Sequence, residues 1–115
     1  MRNDNENIIV EQSFRFALKI ITHCELLEES RKYIVSRQLL RSGTSIGANV
    51  REAQNAESKQ DFIHKIKLAA KEADETEYWL LLCKNSNSYP FDDQLLAETG
   101  ELIKILSKII GSSKS

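Results

Sequence analysis

The stretch from Arg41 to Ala53 contains the residues that most restrict how this chain can fold. Gly43 and Gly47 lie in it, and each interior glycine destabilises a helix by about 1 kcal/mol relative to alanine. Its serine, threonine and asparagine side chains also compete with the helix for backbone hydrogen bonds. Yet one heptad stripe continues through both glycines: Tyr33, Ser36, Leu40, Gly43, Gly47 and Val50. Because that spacing is helical, it predicts a single long helix here.

The two glycines predict a close contact between helices. Together they destabilise the helix by about 2 kcal/mol, which we expect to be offset only where a neighbouring helix approaches the bare backbone. The next helical pattern contains three small residues, Ala69, Ala70 and Ala73. A short turn near Glu57 places these alanines opposite Gly43 and Gly47 if the two helices are antiparallel. The sequence therefore predicts tight packing between the second and third helices.

A second stripe of small and polar residues follows the same helix. It comprises Ser42, Ser45, Asn49, Glu52 and Ala56, where an ordinary solvated face has lysine and glutamate. One interpretation is a solvated face whose side chains are short. The other, which we favour, is that Asn49 and Glu52 are partly buried and hydrogen-bonded to another helix, within the subunit or in an oligomer.

Residues of the second and third helices resemble those of a known family. The matching positions are Gln38, Arg41, Ser45, Ile46, Asn49, Glu52, Ser58, Phe62, Ala69 and Glu75. They are similar to the bacterial four helix bundle protein family, which includes the 23S rRNA-intervening sequence proteins. Its relatives include the accessory variability determinants of diversity-generating retroelements. The resemblance covers about residues 8 to 110.

The family pattern has both matches and departures in this chain. We expect four of the matching residues to form a buried polar motif: Ser45, Asn49, Glu52 and Glu75. Gly47 and Arg51 stand where many members have proline and alanine. These departures change the local surface and leave the expected fold unaffected.

Periodicity divides the chain into four helices. They are expected at about residues 8–29, 31–56, 59–84 and 91–110, with residues 1–7 and 112–115 flexible. Ser30 and Ser58 are predicted to cap the second and third helices, Pro90 to open the fourth and Gly111 to end it. The length fits one domain, residues 1–115, with a single core. The expected fold class is all-α, an antiparallel up-down-up-down four-helix bundle that assembles into a cyclic oligomer.

The first helix contains an apolar stripe that we expect to be core. Its members repeat at heptad spacing: Val10, Phe14, Ala17, Ile21 and Cys24. His23 lies near this stripe without a partner at metal-ligand spacing, so we expect it at the rim or in a hydrogen bond.

No catalytic or metal-binding constellation is found in the sequence. No glycine loop follows a strand, and neither His23 nor His64 has a cysteine or carboxylate at a recognised ligand spacing. Cys24 and Cys83 lack the CxxC spacing and are expected to be buried free thiols. We therefore predict no enzymatic activity, no catalytic, cofactor-binding or metal-binding residues, no cofactor and no small-molecule substrate.

The N-terminal residues and the hydropathy argue against a membrane protein. The first seven residues are polar, with no apolar signal-peptide segment behind them, and no apolar stretch reaches 18 residues. The sequence therefore predicts a cytoplasmic protein without a membrane partner.

The charge balance limits how this chain can bind nucleic acid. Sixteen basic and seventeen acidic residues give a net charge of −1, so only a local basic patch is available for phosphates. The candidate residues are Arg37, Arg41, Arg51, Lys59, Lys65 and Lys67. The resemblance implies RNA, DNA or a nucleic-acid-processing protein as partner, because retroelement relatives are implicated in binding nucleic acid and a reverse transcriptase. Alternatively, nearby acids balance these charges, and the protein is a self-assembling interaction scaffold that binds no nucleic acid.

Five consecutive apolar residues near the end of the third helix indicate a further contact. At 100° per residue, Tyr78 to Leu82 surround the helix, whereas a bundle buries about a third of each helix. Either the loop at residues 86–91 covers the outer side, or an oligomer interface does. We favour an interface that includes Ser42, Tyr78, Trp79 and Leu82. The resemblance implies a homopentamer, since family structures look like closed five-membered barrels, and a dimer is the alternative.

Overall fold

The computed structural model describes residues 4–113, which form four helices and the turns between them. α1 spans Asp4–Glu29, α2 Tyr33–Gln54, α3 Lys59–Asn85 and α4 Asp93–Ser113, and no strand occurs in this range. The all-α, four-helix prediction is confirmed, and α2 passes through both glycines. Of the ends predicted to be flexible, residues 4–7 and 112–113 are helical, and the others lie outside the described residues.

Ser30 follows the end of α1 and does not cap α2. Arg31 has a left-handed backbone, with a φ of 63°, and the Lys32 amide donates to the Leu27 carbonyl at 2.8 Å. This hydrogen-bond pattern closes the C-terminus of a helix. The N-cap of α2 is Lys32, whose side chain makes no capping bond. The prediction for Ser30 is therefore wrong, because this residue belongs to the turn that ends the preceding helix.

The start of α3 is as predicted, whereas α4 begins later. The Ser58 hydroxyl accepts a hydrogen bond from the Asp61 amide at 3.0 Å and so caps α3. Before α4, the Asp92 carboxylate accepts from the Gln94 amide at 2.9 Å. Because Asp92 occupies the capping position, Pro90 lies before the helix and not in its first turn.

Gly111 lies inside α4 and does not end it. Its φ is not positive, so it lacks the left-handed conformation of a glycine that caps a helix. The Ser112 hydroxyl donates to the Lys108 carbonyl at 3.0 Å, and the helix continues to Ser113.

The four helices surround one core. α1 packs against α2 and α4, and α3 packs against the same two helices. Among the described residues, no Cα atom of α1 lies within 8 Å of α3, and the same holds for α2 and α4. The largest fully buried side chains are Phe16, Ile9, Ile20, Leu27, Leu39, Ile46, Ile66, Leu80, Leu95, Leu102, Leu106 and Ile109. α1 and α3 therefore lie at opposite corners of the molecule.

α1 buries a different face from the one its apolar stripe predicts. Of the five stripe residues only Cys24 is buried, while Phe14 is 63% and Ile21 42% exposed. Val10 and Ala17 are half-buried. The buried face consists of Ile9, Ser13, Phe16, Ile20, His23, Cys24 and Leu27. The prediction that the heptad stripe is core is therefore wrong for Phe14 and Ile21.

The glycines of α2 face α1 and not the alanines of α3. A Cβ atom added at Gly43 would lie 2.9 Å from two side-chain carbons of Ile20, and one at Gly47 would lie 3.2 Å from the Ser13 carbonyl oxygen. The predicted pairing of the glycines with Ala69, Ala70 and Ala73 is thus wrong. The close approach fixes which face of α1 is buried, because Ile20 and Ser13 fill the space that the missing side chains leave.

Candidate interaction surfaces

Arg41 is the centre of a polar cluster between α2 and α3. One guanidinium nitrogen donates to both Glu72 carboxylate oxygens, at 3.2 and 3.3 Å, and the other donates to Glu75. The indole Nε1 of Trp79 donates to the same Glu75 oxygen at 3.1 Å. The hydrogen bond from Arg41 lowers the pKa of the Glu75 carboxyl, and the bond to Glu75 raises the pKa of Arg41. Glu75 therefore connects a cation of α2 with an aromatic residue of α3.

Carboxylates neutralise two of the six residues proposed to bind nucleic acid. Arg41 is paired with Glu72 and Glu75, and the Lys65 ammonium donates to Glu52 at 3.0 Å. This hydrogen bond raises the pKa of Lys65. Both cations are already engaged between α2 and α3, so a phosphate would have to compete with a carboxylate for them.

The other four basic residues do not form one patch. Arg37 and Arg51 are exposed, and neither forms an ion pair with a carboxylate of the described residues. They lie fourteen positions apart on α2, which is about 21 Å along a helix. Lys59 and Lys67 line a shallow depression beside His64 on α3. The structure thus brings together Lys59 and Lys67 but does not assemble the six residues into one ridge.

Two members of the second stripe of α2, Ser42 and Glu52, accept side-chain hydrogen bonds from α3. Glu52 is exposed and accepts from Lys65. The Asn49 amide instead donates to the Ser45 carbonyl at 2.9 Å, and the Ser45 hydroxyl donates to the Arg41 carbonyl at 2.6 Å. Asn49 is half-buried as predicted, but within the subunit its side chain bonds to its own helix and not to a neighbouring one, because a carbonyl one turn earlier lies within reach.

Ser42 is enclosed between α2 and α3. It is fully buried, and its hydroxyl accepts from the Thr76 hydroxyl at 2.9 Å. A side chain without solvent-accessible area in the subunit cannot contact a second subunit. Its place among the predicted interface residues is therefore wrong.

An exposed apolar surface on α1 was not expected from the sequence. Phe14 and Ile21 lie on it with Leu18, which is 52% exposed. These three residues, spaced i, i+4 and i+7, follow one side of the helix and are called the α1 stripe below. A signal for them exists in the sequence, since α1 also contains a second apolar series with Phe16 and Ile20. One buried face of a helix accommodates only one of these series, so the apolar residues of the other remain exposed.

A groove between α1 and α2 adjoins the α1 stripe. Its apolar lining includes Val10, Phe14, Ala17 and Ala48, and Gly47 lies in its floor. Arg51 lines one side of it. The groove widens the apolar surface from α1 onto α2.

A second exposed apolar surface lies near the end of α3. Tyr78 is 59% exposed, and Leu81 and Leu82 are exposed as well; these three residues are called the α3 girdle. The loop before α4 packs Tyr89 and Phe91 against the core and leaves the girdle uncovered. Trp79 is only half-buried, but its indole is held by Glu75, so it lies at the edge of this surface.

His23 is buried and not at the rim. Burial lowers the pKa of its imidazole, against the opposing effects of the Asp92 charge and of a hydrogen bond to the Pro90 backbone. Its Nε2 atom has no hydrogen-bond partner among the described residues. The ring therefore links α1 to the loop before α4, and the hydrogen bond that was one of the two predictions for His23 is confirmed.

The two cysteines are buried free thiols, as expected. Burial raises the pKa of Cys24 to about 11 and also raises that of Cys83. From residue 4 to residue 113, no group of three or more histidine, cysteine or acidic side chains is placed to hold a metal ion. None of the helices in that range is long and apolar enough to cross a membrane.

Comparisons with known proteins agree with the arrangement of the helices. A solved structure of a protein with unknown function from Bacteroides thetaiotaomicron, assigned to the S23 ribosomal protein family, is 42% identical in sequence with a TM-score of 0.85. The match covers 93% of this chain and 98% of the other. No curated protein matches. The family model of the 23S rRNA-intervening sequence proteins matches residues 5–110. The chain therefore belongs to the 23S rRNA-intervening sequence protein family.

Proposed function

We propose that this protein is a non-enzymatic, self-assembling interaction module whose subunits close into a ring. The observation that carries the proposal is the presence of two exposed apolar surfaces, the α1 stripe and the α3 girdle. Contiguous apolar surface of this kind is typical of protein interfaces. A single chain leaves both surfaces in water, and an assembly in which they are covered is favoured by the hydrophobic effect.

We also propose that the subunit is an antiparallel up-down-up-down bundle. Three contacts between α1 and α2 support this topology: Cys24 with Ser36, Ile20 with Gly43, and Ser13 with Gly47. Contacts between α2 and α3 follow the same order, with Glu52 on Lys65 and Arg41 on Glu72. In both pairs, partners later in one helix meet partners earlier in the next. Short turns between long helices favour the same arrangement.

The position of the two surfaces favours head-to-tail contacts. α1 and α3 occupy opposite corners, so their outer sides face in opposite directions. In a two-fold dimer each subunit uses one patch twice, which leaves the other patch exposed. A heterologous contact, in which the stripe of one subunit meets the girdle of the next, covers both and generates a ring when it closes.

The level of the surfaces along the bundle favours closure over a filament. Ile20 of α1 lies beside Gly43 of α2, and Thr76 of α3 lies beside Ser42, the residue before Gly43. Ile20 and Thr76 therefore mark the same level along the bundle on α1 and α3. Leu18 lies two residues before its marker and Tyr78 two residues after, so in the proposed bundle, where α1 and α3 run in the same direction, their levels differ by about four residues, or about 6 Å. An offset of this size is small against the length of the bundle, and a modest tilt of each subunit against the ring axis accommodates it while the ring still closes.

A homopentamer is the ring size that we propose, because the family resemblance points to five-membered barrels. Light scattering coupled to size-exclusion chromatography should give about five times the chain mass of 13.1 kDa. A monomer at micromolar concentration would overturn the proposal.

A second candidate function is binding to RNA or to a ribonucleoprotein. Arg37, Arg51 and Lys67 are exposed without an ion-pair partner among the described residues, and the family description refers to 23S rRNA. Few free cations predict weak binding that falls with rising salt. Fluorescence anisotropy with structured RNA and duplex DNA at two salt concentrations tests it, with the Arg37→Ala, Arg51→Ala double variant as comparison. Absence of binding at low salt would rule out this candidate.

A further inference from the structure

We infer that the α1 stripe of one chain packs directly against the α3 girdle of a second copy of this chain, in one register set by charged residues. The inference rests on the self-assembly proposed above and adds which surfaces meet and how they align. Three features carry it: the spacing of residues along the two helices, the signs of their charges and the edges on which the charges lie.

Each apolar surface has a pair of charged residues toward its N-terminal end: Glu11 and Arg15 flank Phe14 of the α1 stripe, and Lys71 and Asp74 precede the α3 girdle. On α1 the charged and apolar residues are Glu11, Arg15, Leu18 and Ile21. Their sequence positions relative to Ile20, at the common level, are −9, −5, −2 and +1. On α3 the corresponding residues are Lys71, Asp74, Tyr78 and Leu82. Their sequence positions relative to Thr76, at the same level, are −5, −2, +2 and +6. The two series differ by three to five residues at every position.

One shift of about four residues, or about 6 Å along the helix, therefore aligns all four pairs. Two of the pairs bring opposite charges together, Glu11 with Lys71 and Arg15 with Asp74. The other two are apolar, Leu18 with Tyr78 and Ile21 with Leu82. Opposite charges at the edge of an apolar contact favour this register over one that places like charges together.

The charged residues lie on matching edges of the two helices. Arg15 is one turn before Lys19, whose ammonium binds Glu98 of α4 at 2.8 Å, so Arg15 lies toward α4. Asp74 is about 100° around α3 from Glu75, which faces α2, and it lies on the other side, also toward α4. When two copies with the same orientation meet head to tail, these two edges fall beside each other.

The charged residues are also available for such contacts. Arg15 and Glu11 pair with each other in a bridge of 2.5 Å, and neither has another ion-pair partner among the described residues; their side chains are 70% and 63% exposed. Asp74 is exposed and forms no ion pair with a described residue. An exposed pair of this kind contributes little to folding, so its partners can be exchanged across an interface.

Cysteine cross-linking tests which surfaces meet. Chains with Leu18→Cys and chains with Tyr78→Cys are prepared separately, mixed, allowed to exchange subunits and oxidised. The native Cys24 and Cys83 are buried, and the wild-type protein oxidised in parallel shows any cross-link that they form. We expect a disulfide-linked pair in the mixture and none in either variant alone. A chain with both substitutions should give a ladder that ends at the number of subunits in the ring.

Charge exchange tests the register. Arg15→Asp and Asp74→Arg should each raise the dissociation constant of the assembly by about tenfold or more, and the double variant should restore most of the affinity. Lys104→Glu changes an exposed charge on α4 and should leave the assembly unchanged. Circular dichroism confirms that every variant is folded.

The possible results separate this inference from the proposed function. Mixed cross-links together with recovery in the double variant support the inference. An assembly that forms no Leu18→Cys to Tyr78→Cys cross-link, or that cross-links through one position alone, overturns it and leaves self-assembly in place. A wild-type chain that is monomeric by light scattering overturns both.

Discussion

His23 makes the stability of this protein depend on pH. Burial lowers the pKa of the folded imidazole below its ordinary value of 6.5, so the unfolded chain takes up a proton more readily. The free energy of unfolding is then fully maintained above pH 6.5 and falls as the pH drops from 6.5 toward the folded pKa. The slope can reach about 1.4 kcal/mol per pH unit.

Urea unfolding at pH 7.5 and pH 5.5 measures this effect. We expect lower stability at pH 5.5 for the wild type and a smaller difference for His23→Gln, which no longer titrates. Equal stability of the wild type at the two pH values would show that His23 takes up a proton without loss of the fold.

Substitution by alanine should change the free energy of unfolding in opposite directions at two helical glycines, Gly43 and Gly100. At Gly43 the new Cβ would lie 2.9 Å from the buried Ile20 side chain, so Gly43→Ala should destabilise by about 1–3 kcal/mol through overpacking. At Gly100 no atom lies within 4 Å of the new Cβ, so Gly100→Ala should stabilise α4 by about 0.5–1 kcal/mol. Thermal melts of the two variants test this contrast. A stabilised Gly43→Ala variant would contradict the close packing of α1 against α2.

At the level of single elements, Ser30 and Ser58 were both predicted to cap a helix, but only Ser58 does so. Ser58 accepts the Asp61 amide and caps α3, whereas Ser30 lies in the turn after α1. Ser58→Ala should therefore lower the free energy of unfolding by about 1 kcal/mol. Ser30→Ala is the matched control and should lower it by much less. Equal effects in chemical denaturation would show that the Ser58 cap contributes little.

The helices could be predicted from the sequence because their apolar periodicity is strong. The direction that α1 faces could not, since it has apolar residues on two sides, and the buried side includes the polar Ser13 and His23. A glycine indicates that some backbone approaches closely, but it does not say which helix, and Gly43 met Ile20 where alanines of α3 were expected. Because Phe14 and Ile21 were expected in the core, the α1 stripe could not be recognised as a surface. Of the two proposed interaction surfaces, the sequence therefore predicted only the one on α3.

Polar contacts were equally hard to predict. Periodicity places Asn49 and Glu52 on one side of α2 but does not say which partner each will find. The Asn49 amide bonds to its own helix, whereas the Glu52 carboxylate accepts from Lys65 of α3. Similarly, counting Arg41 among free cations overlooked Glu72 and Glu75, which lie more than thirty residues later.

For the whole molecule, the proposal predicts that exposed apolar residues matter for assembly and not for folding. Phe14 is 63% exposed in the subunit, so Phe14→Glu should leave the melting temperature of a dissociated subunit nearly unchanged while weakening the assembly. Ile34 is the matched control, because it is 73% exposed and lies outside both surfaces. Sedimentation velocity should show smaller species for Phe14→Glu and an unchanged assembly for Ile34→Glu. Equal behaviour of the two variants would argue against the α1 stripe as an interface.

Native mass spectrometry of the wild-type protein tests self-assembly into a ring, because it counts the subunits of each species. Across a series of micromolar concentrations, we expect one dominant species of five chains of 13.1 kDa each, and we expect Phe14→Glu to convert it to smaller species. A dominant monomer, with a spectrum that Phe14→Glu leaves unchanged, would contradict self-assembly through these surfaces.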